Sequence, residues 1–235
     1  MSVKKGYRYI KNNYLLSRTF KNFLKCNRKY WSSFDGIQHG GKYILVDLMV
    51  NNHPGYLMGN CIIANYLKKM CNADLVGLVN GKIHRKVIHL ARSYNIDKFL
   101  YPYDLLNKIK YEYSCLKRLK ENRISNLQEL LNLHSGSIKI GDLIYDTYLK
   151  RTGCGTIEDM SDLKPYIKEA IFLCIFFKNI FERYDITATV QGHIVYNSFG
   201  ILARTAIVHK SKVYARKPAS GSMTIKRCTS MDDTM

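Results

Sequence analysis

An α/β fold with an open, mainly parallel sheet flanked by helices is what this sequence predicts. Three observations carry the prediction. From Lys42 onward, short apolar runs alternate with stretches whose apolar residues recur at helical spacing. The first run, "KYILVDLMV", is nearly continuous in apolar residues, as expected of a strand covered on both faces. The order strand, helix, strand, helix, strand over residues 42 to 102 is that of parallel strands joined by right-handed crossovers.

Residues 1 to 41 read as a basic leader. Residues 1 to 42 hold ten Lys or Arg against one acid, Asp35. Up to residue 30 these bases interleave with Tyr7, Tyr9, Tyr14, Leu16, Phe20, Phe23 and Leu24. That pattern suits a basic amphipathic helix lying on anionic lipid; a solvated helix packed on its own domain is at least as common. After "KYILVDLMV" comes the turn-rich "NNHPGYLMGN", then "CIIANYLKKM" at helical spacing. "NADLVGLVN" predicts a second strand, "KIHRKVIHLARSY" a second helix, and "IDKFLYP" a third strand stopped by Pro102.

Residues 103 to 135 are mixed in charge and helical in period, an inserted helical segment. Beyond "KIGDLIYDTYLKRTGCG", the stretch "DLKPYIKEAIFLCIFFKNIFERYD" predicts a long helix entered near Pro165. "ITATVQGH" then reads as a strand, "NSFGILARTAIVHK" as a helix and "SKVYAR" as a strand. Residues 42 to 216 are therefore expected to form one domain, and the polar residues 217 to 235 a tail or a truncated linker.

Composition narrows the function classes. With 235 residues and 46% hydrophobic content, a sizeable core can be buried, so disorder is excluded. A formal charge of +19 implies an anionic partner: nucleic acid, a membrane surface or phosphorylated substrates. The seven cysteines are dispersed without CxxC or paired spacing, which argues for a reducing compartment and against a zinc site or disulfide framework. The N-terminus lacks the apolar run and cleavage site of a secretory signal, and Ile171 to Phe177 is too short to cross a bilayer. A cytoplasmic chain is expected, with peripheral attachment to the inner face of the plasma membrane if the leader lies on lipid.

In an open parallel sheet, ligands bind beyond the carboxyl ends of the strands, so the loops that leave strands are where chemistry is sought. In "NNHPGYLMGN", Gly55 and Gly59 permit close backbone approach, helix-start amides can hold an anion, and His53 has the side chain of a general base. The same residues also read as an ordinary turn, and no GxGxxG fingerprint is present. In "VQGHIVYNSFGILARTAIVHKSKVY", Gly192 and His193 follow a strand, Tyr196 lies just beyond, and Arg204 sits on the next helix. If both loops leave strands at carboxyl ends, His193 and Tyr196 share a rim with His53. The stretch around Asp142 and Asp146 has two readings. Asp142 can cap a helix and Asp146 pair with Lys150 on a solvated face, with Leu143, Ile144, Thr147 and Tyr148 inward and Gly153 ending the helix. Alternatively Asp142, Tyr145 and Asp146 border an active-site cleft.

The succession "YILVDL…HPGYLMGNCIIANYL", "IKIGDLIYDTYLKRTG" and "TVQGHIVYNSFGILARTAIVHKSKVYAR" resembles bacterial capsule and surface-polysaccharide biosynthesis proteins, thought to be glycosyltransferases of the two-domain GT-B type. The likeness covers about residues 42 to 228. It implies a Rossmann-like N-terminal half that binds a saccharide or lipid-linked acceptor, and a second half that binds most of the sugar nucleotide. The chain stops at Met235, where that second half should begin, so an incomplete site and no measurable sugar transfer by the chain alone are expected. In such a reaction a base takes the acceptor proton; His53 is the first choice, with Asp146 and His193 behind it, and substrate contacts are expected from Asn52, Gly55, Tyr56, Asp142, Tyr145, Gly192, Tyr196 and Arg204. No metal is expected, since the sequence has no ligand cluster of suitable spacing, and no cofactor, the nucleotide sugar being the donor substrate. The rival readings are a basic nucleic-acid-binding protein, which has no RNP, KH, zinc-finger or helix-turn-helix pattern to support it, and a non-catalytic remnant that docks on a membrane or partner.

Overall fold

The computed structural model describes residues 16–32, 41–50, 53–81, 84–121, 124–219 and 222–234. The fold is α/β and Rossmann-like, with mainly parallel strands flanked by helices. The chain divides into two compact units, Met1–Asp104 and Leu105–Met235.

In the first unit, α1 (Arg18–Trp31) is opened by Ser17, whose Oγ accepts the Phe20 amide at 3.1 Å. Its bases face water, but its far end is docked on the unit. Trp31 is buried against Tyr94, and Asn27 donates to the Ser93 carbonyl and hydroxyl at 3.0 and 2.9 Å. Within residues 18 to 31 the helix is thus packed on its own domain; the leader's residues 1–15 lie outside the described residues. Strands β1 (Lys42–Asp47), β2 (Asp74–Leu78) and β3 (Lys98–Leu100) pair in parallel, β1 with β2 and β2 with β3. They are joined by α2 (Pro54–Cys71) and α3 (Arg85–Arg92), the succession the alternation predicts. Ile44, Leu45 and Val46 are fully buried, which is why that run carries no polar alternation. Pro54 opens α2, where its missing N–H costs nothing, and Asn72 closes it in the left-handed conformation, φ 47°.

The second unit begins with α4 (Leu105–Glu121) and α5 (Leu127–Leu131), so the segment read as a helical insertion is largely helical. Its end holds a tight antiparallel hairpin, β4 (His134–Ser135) with β5 (Ile138–Lys139), too short to leave a periodic signal. Then come α6 (Gly141–Thr152), the long α7 (Lys164–Arg183) and β6 (Asp185–Gln191). A π-helical turn, Tyr196–Gly200, runs into α8 (Ile201–Val208). Strand β7 (Lys212–Ala219) lies parallel to β6, and β8 (Ser222–Cys228) folds back antiparallel on β7. Residues 217 to 228, read from sequence as tail or linker, are thus largely strand. An edge strand held by main-chain bonds, with Ile225 exposed among polar neighbours, shows neither an apolar run nor a clean alternation. Asp233 secures the turn beyond it, accepting from the Thr229 and Ser230 amides and from Lys226. The core of this unit gathers on α7, whose Leu173 and Phe177 are fully buried. Each such side chain contributes about 2–3 kcal/mol.

Candidate active site

In the second unit, α6 carries three predicted site residues, Asp142, Tyr145 and Asp146. The helix begins at Gly141 because nothing larger fits: a Cβ there would lie 1.7 Å from the Leu130 carbonyl oxygen. Asp142 therefore sits inside the first turn, and Ile140 holds the cap position without a side-chain bond. Asp142 is taken up by Arg204 of α8. Nη1 donates to Oδ1 at 2.7 Å and Nη2 to Oδ2 at 2.6 Å, the two-pronged geometry of a strong ion pair. The guanidinium is 1% exposed and also donates to the Lys139 carbonyl at 2.7 Å and the Thr234 carbonyl at 3.1 Å. Arg204 thereby binds the hairpin, α6, α8 and the C-terminal turn together. With its guanidinium so occupied, Arg204 fixes the position of the Asp142 carboxylate.

One helical turn on, Asp146 is in a different state. It is half-buried, and among the described residues it has no hydrogen bond or ion pair, Lys150 included. Burial pushes its carboxyl up, and the negative charge of Asp142 adds to this against a weaker pull from Arg204. At Asp142, burial also raises the carboxyl, but the hydrogen bonds and charge of Arg204 outweigh it and hold the group below the usual carboxylate range. Two like side chains, one turn apart, are thus pushed in opposite directions, the pattern that separates an acid or base from its electrostatic neighbour. Tyr145 is half-buried beside them. Leu143, Ile144, Thr147 and Tyr148 are buried, and Gly153 ends the helix at φ 77°, as the periodicity predicts.

Against α6 packs the π-helical turn. Tyr196, which opens it, has φ 63°, a left-handed conformation that costs a non-glycine residue about 1 kcal/mol or more. The Asn197 amide donates to Thr147 Oγ1 at 2.8 Å. Asn197 Nδ2 reaches the Tyr166 carbonyl at 3.1 Å and Glu169 at 3.2 Å, while its Oδ1 is buried without a partner. Gly200 allows the close approach, since a Cβ would meet Leu143 Cδ2 at 2.3 Å and force that side chain to shift. A π turn, a strained backbone and an unsatisfied amide oxygen therefore coincide at the predicted residue Tyr196 and its neighbour, a combination that recurs at functional sites. Just upstream, Gly192 is buried and His193 half-buried at the carboxyl end of β6. Burial, and then the charge of Arg216, push His193 below the ordinary histidine range, so the ring is neutral at pH 7. Gln191, at the end of the same strand, is fully buried with Oε1 unpartnered.

The other predicted residues belong to the first unit. His53 is exposed at the N-cap position of α2 and makes no capping bond. Gly55 is exposed in the first turn, and Asn52 lies outside the described residues. Tyr56 donates from its hydroxyl to Asp47 Oδ2 at 2.7 Å. Sequence reasoning passed over Asp47, a fully buried carboxylate at the carboxyl end of β1 whose Oδ1 accepts the Met49 amide at 2.9 Å. Its signal was available: an acid ending an otherwise apolar strand must find partners in the turn that follows. Asn60 ties the same turn by donating to the Asp47 carbonyl at 2.8 Å, and its own Oδ1 is buried unpartnered.

No protein-family model and no curated protein matches the chain.

Proposed function

We propose that the chain is the acceptor-side domain of a sugar-nucleotide-dependent glycosyltransferase of surface-polysaccharide assembly, with Asp146 as the general base. The observation that carries the reading is the splitting of the two α6 carboxylates. Arg204 keeps Asp142 ionised, and burial, with the charge of Asp142 adding to it, makes Asp146 the more basic carboxylate of the two. In the reaction the acceptor hydroxyl oxygen bonds to the anomeric carbon of the donor. The bond from that carbon to the phosphate oxygen breaks, the nucleoside diphosphate leaves with the electron pair, and the hydroxyl proton passes to the Asp146 carboxylate. His193, which follows the carboxyl end of β6, is assigned in this reading to the acceptor sugar.

Amide chemical-shift mapping with a panel of oligosaccharide and lipid-linked saccharide acceptors tests this. Acceptor is expected to move the amides of Tyr145, Asp146 and Tyr196, and Asp146→Asn is expected to keep acceptor binding while, with a donor-binding second half supplied, lowering the transfer rate about a hundredfold or more. If no saccharide perturbs α6 or the π turn, while single-stranded nucleic acid binds with steep salt dependence, the charge of +19 serves nucleic acid and the glycosyltransferase reading fails.

A further inference from the structure

Helix α4 carries two apolar faces, and only one of them is covered. Tyr111 and Cys115 are buried, with Tyr111 set edge-on to Phe172 of α7 at 6.1 Å between ring centres. Glu112 forms an ion pair with Lys168 of α7 beside them. The opposite side presents Leu105, Leu106, Ile109, Tyr113 and Leu116 to solvent, with Leu106 72% and Tyr113 79% exposed. At about 100° per residue these five fall within an arc of about 100°, the width of a stripe that normally faces a core. Lys108, Lys110 and Lys117 are exposed along its borders.

We infer that this stripe is a membrane-docking surface that inserts into the interface of a bilayer containing anionic lipid. An uncovered apolar arc with lysines at its edges matches a surface that is hydrocarbon inside and negatively charged outside. Charge selects lipid over a second copy of the chain. Two such stripes packed face to face would bring the same lysines of two chains, each with formal charge +19, into opposition. The helix is held in place independently, by Tyr111 and Glu112 on α7, so docking requires no refolding. The surface stands whether or not the chain transfers sugars.

The test is cosedimentation of the full chain with phosphatidylcholine vesicles, with and without phosphatidylglycerol. Wild type is expected to pellet with the anionic vesicles. The combined substitution Leu106→Ser, Ile109→Ser and Tyr113→Ser is expected to weaken partitioning about a hundredfold, since three exposed anchors lose their apolar burial in lipid. The combined substitution Lys108→Gln, Lys110→Gln and Lys117→Gln is expected to weaken it about tenfold or more and to remove the preference for phosphatidylglycerol. Circular dichroism checks the fold, and Tyr113→Ser alone, with a loss of about tenfold, serves if the triple variant unfolds. Changing Arg18, Lys21 and Lys25 of α1 to Gln separates the two basic helices. The inference is overturned if vesicles do not bind, if the apolar variant binds as wild type does, or if the α1 variant alone abolishes binding. It is overturned equally if sedimentation equilibrium shows a dimer that the apolar variant dissolves.

Discussion

Replacing Arg204 with methionine removes a guanidinium that is 1% exposed and leaves Asp142 without its counter-ion. Two charge-assisted bonds of 2.7 and 2.6 Å disappear, together with those to the Lys139 and Thr234 carbonyls. Breaking a buried pair costs about 3–5 kcal/mol, and the Asp142 side chain, 31% exposed, regains part of its hydration, which favours the lower end. Each carbonyl left without a partner adds about 1 kcal/mol, and methionine returns part of the packing. The sum is about 4 kcal/mol, or about 8–16 °C in Tm for a chain of this size. Thermal unfolding at pH 7 of wild type, Arg204→Met, Asp142→Asn and the double variant gives the coupling, expected at about 2–3 kcal/mol. The pair also has a pH signature. Because Arg204 holds the Asp142 carboxyl below its unfolded value, the contribution is full above that unfolded value and is lost as pH falls through the folded one. A cost below about 1 kcal/mol for Arg204→Met, or one that is the same with Asp142 and with Asn at position 142, would refute the reasoning.

Two further outcomes follow from the same geometry. Gly141→Ala drives a Cβ to within 1.7 Å of the Leu130 carbonyl and is expected to destabilise by about 3 kcal/mol or more, whereas Gly153→Ala, with open space but φ 77°, is expected to cost about 1 kcal/mol, both read by thermal melts. His193, pushed below the ordinary histidine range by burial and Arg216, resists protonation in the folded state; its contribution to stability is expected to be present above the unfolded histidine value and to decline as pH falls below it, with the ring titration followed by NMR.

The legible parts of the fold were those where burial on both faces left a run of apolar residues, as in β1, or a helical period, as in α7. Strand β8 was not legible because its partner is the backbone of β7, and backbone pairing leaves no mark on side-chain identity. At the candidate site, Asp142, Asp146, Tyr196 and Arg204 could be picked out as residue types in a suggestive order. Their relations could not. The pairing of Asp142 with Arg204 spans 62 positions, and the π turn depends on Gly200 meeting Leu143 across two elements. The reading of Asp146 and Lys150 as a surface pair rested on helical spacing alone, which brings side chains within reach but does not decide between water and a partly buried wall.

The two α6 carboxylates are driven apart, and the raised one is the group proposed to meet the acceptor. Carboxyl-carbon NMR of the aspartate-labelled chain, titrated with and without a saccharide that moves the amides of α6, measures both at once. Asp142 is predicted to titrate below the ordinary aspartate range and to ignore the saccharide, while Asp146 titrates above that range and shifts when the saccharide binds. Two carboxyls that titrate together in the ordinary range, or an Asp146 signal that no saccharide moves, would contradict it.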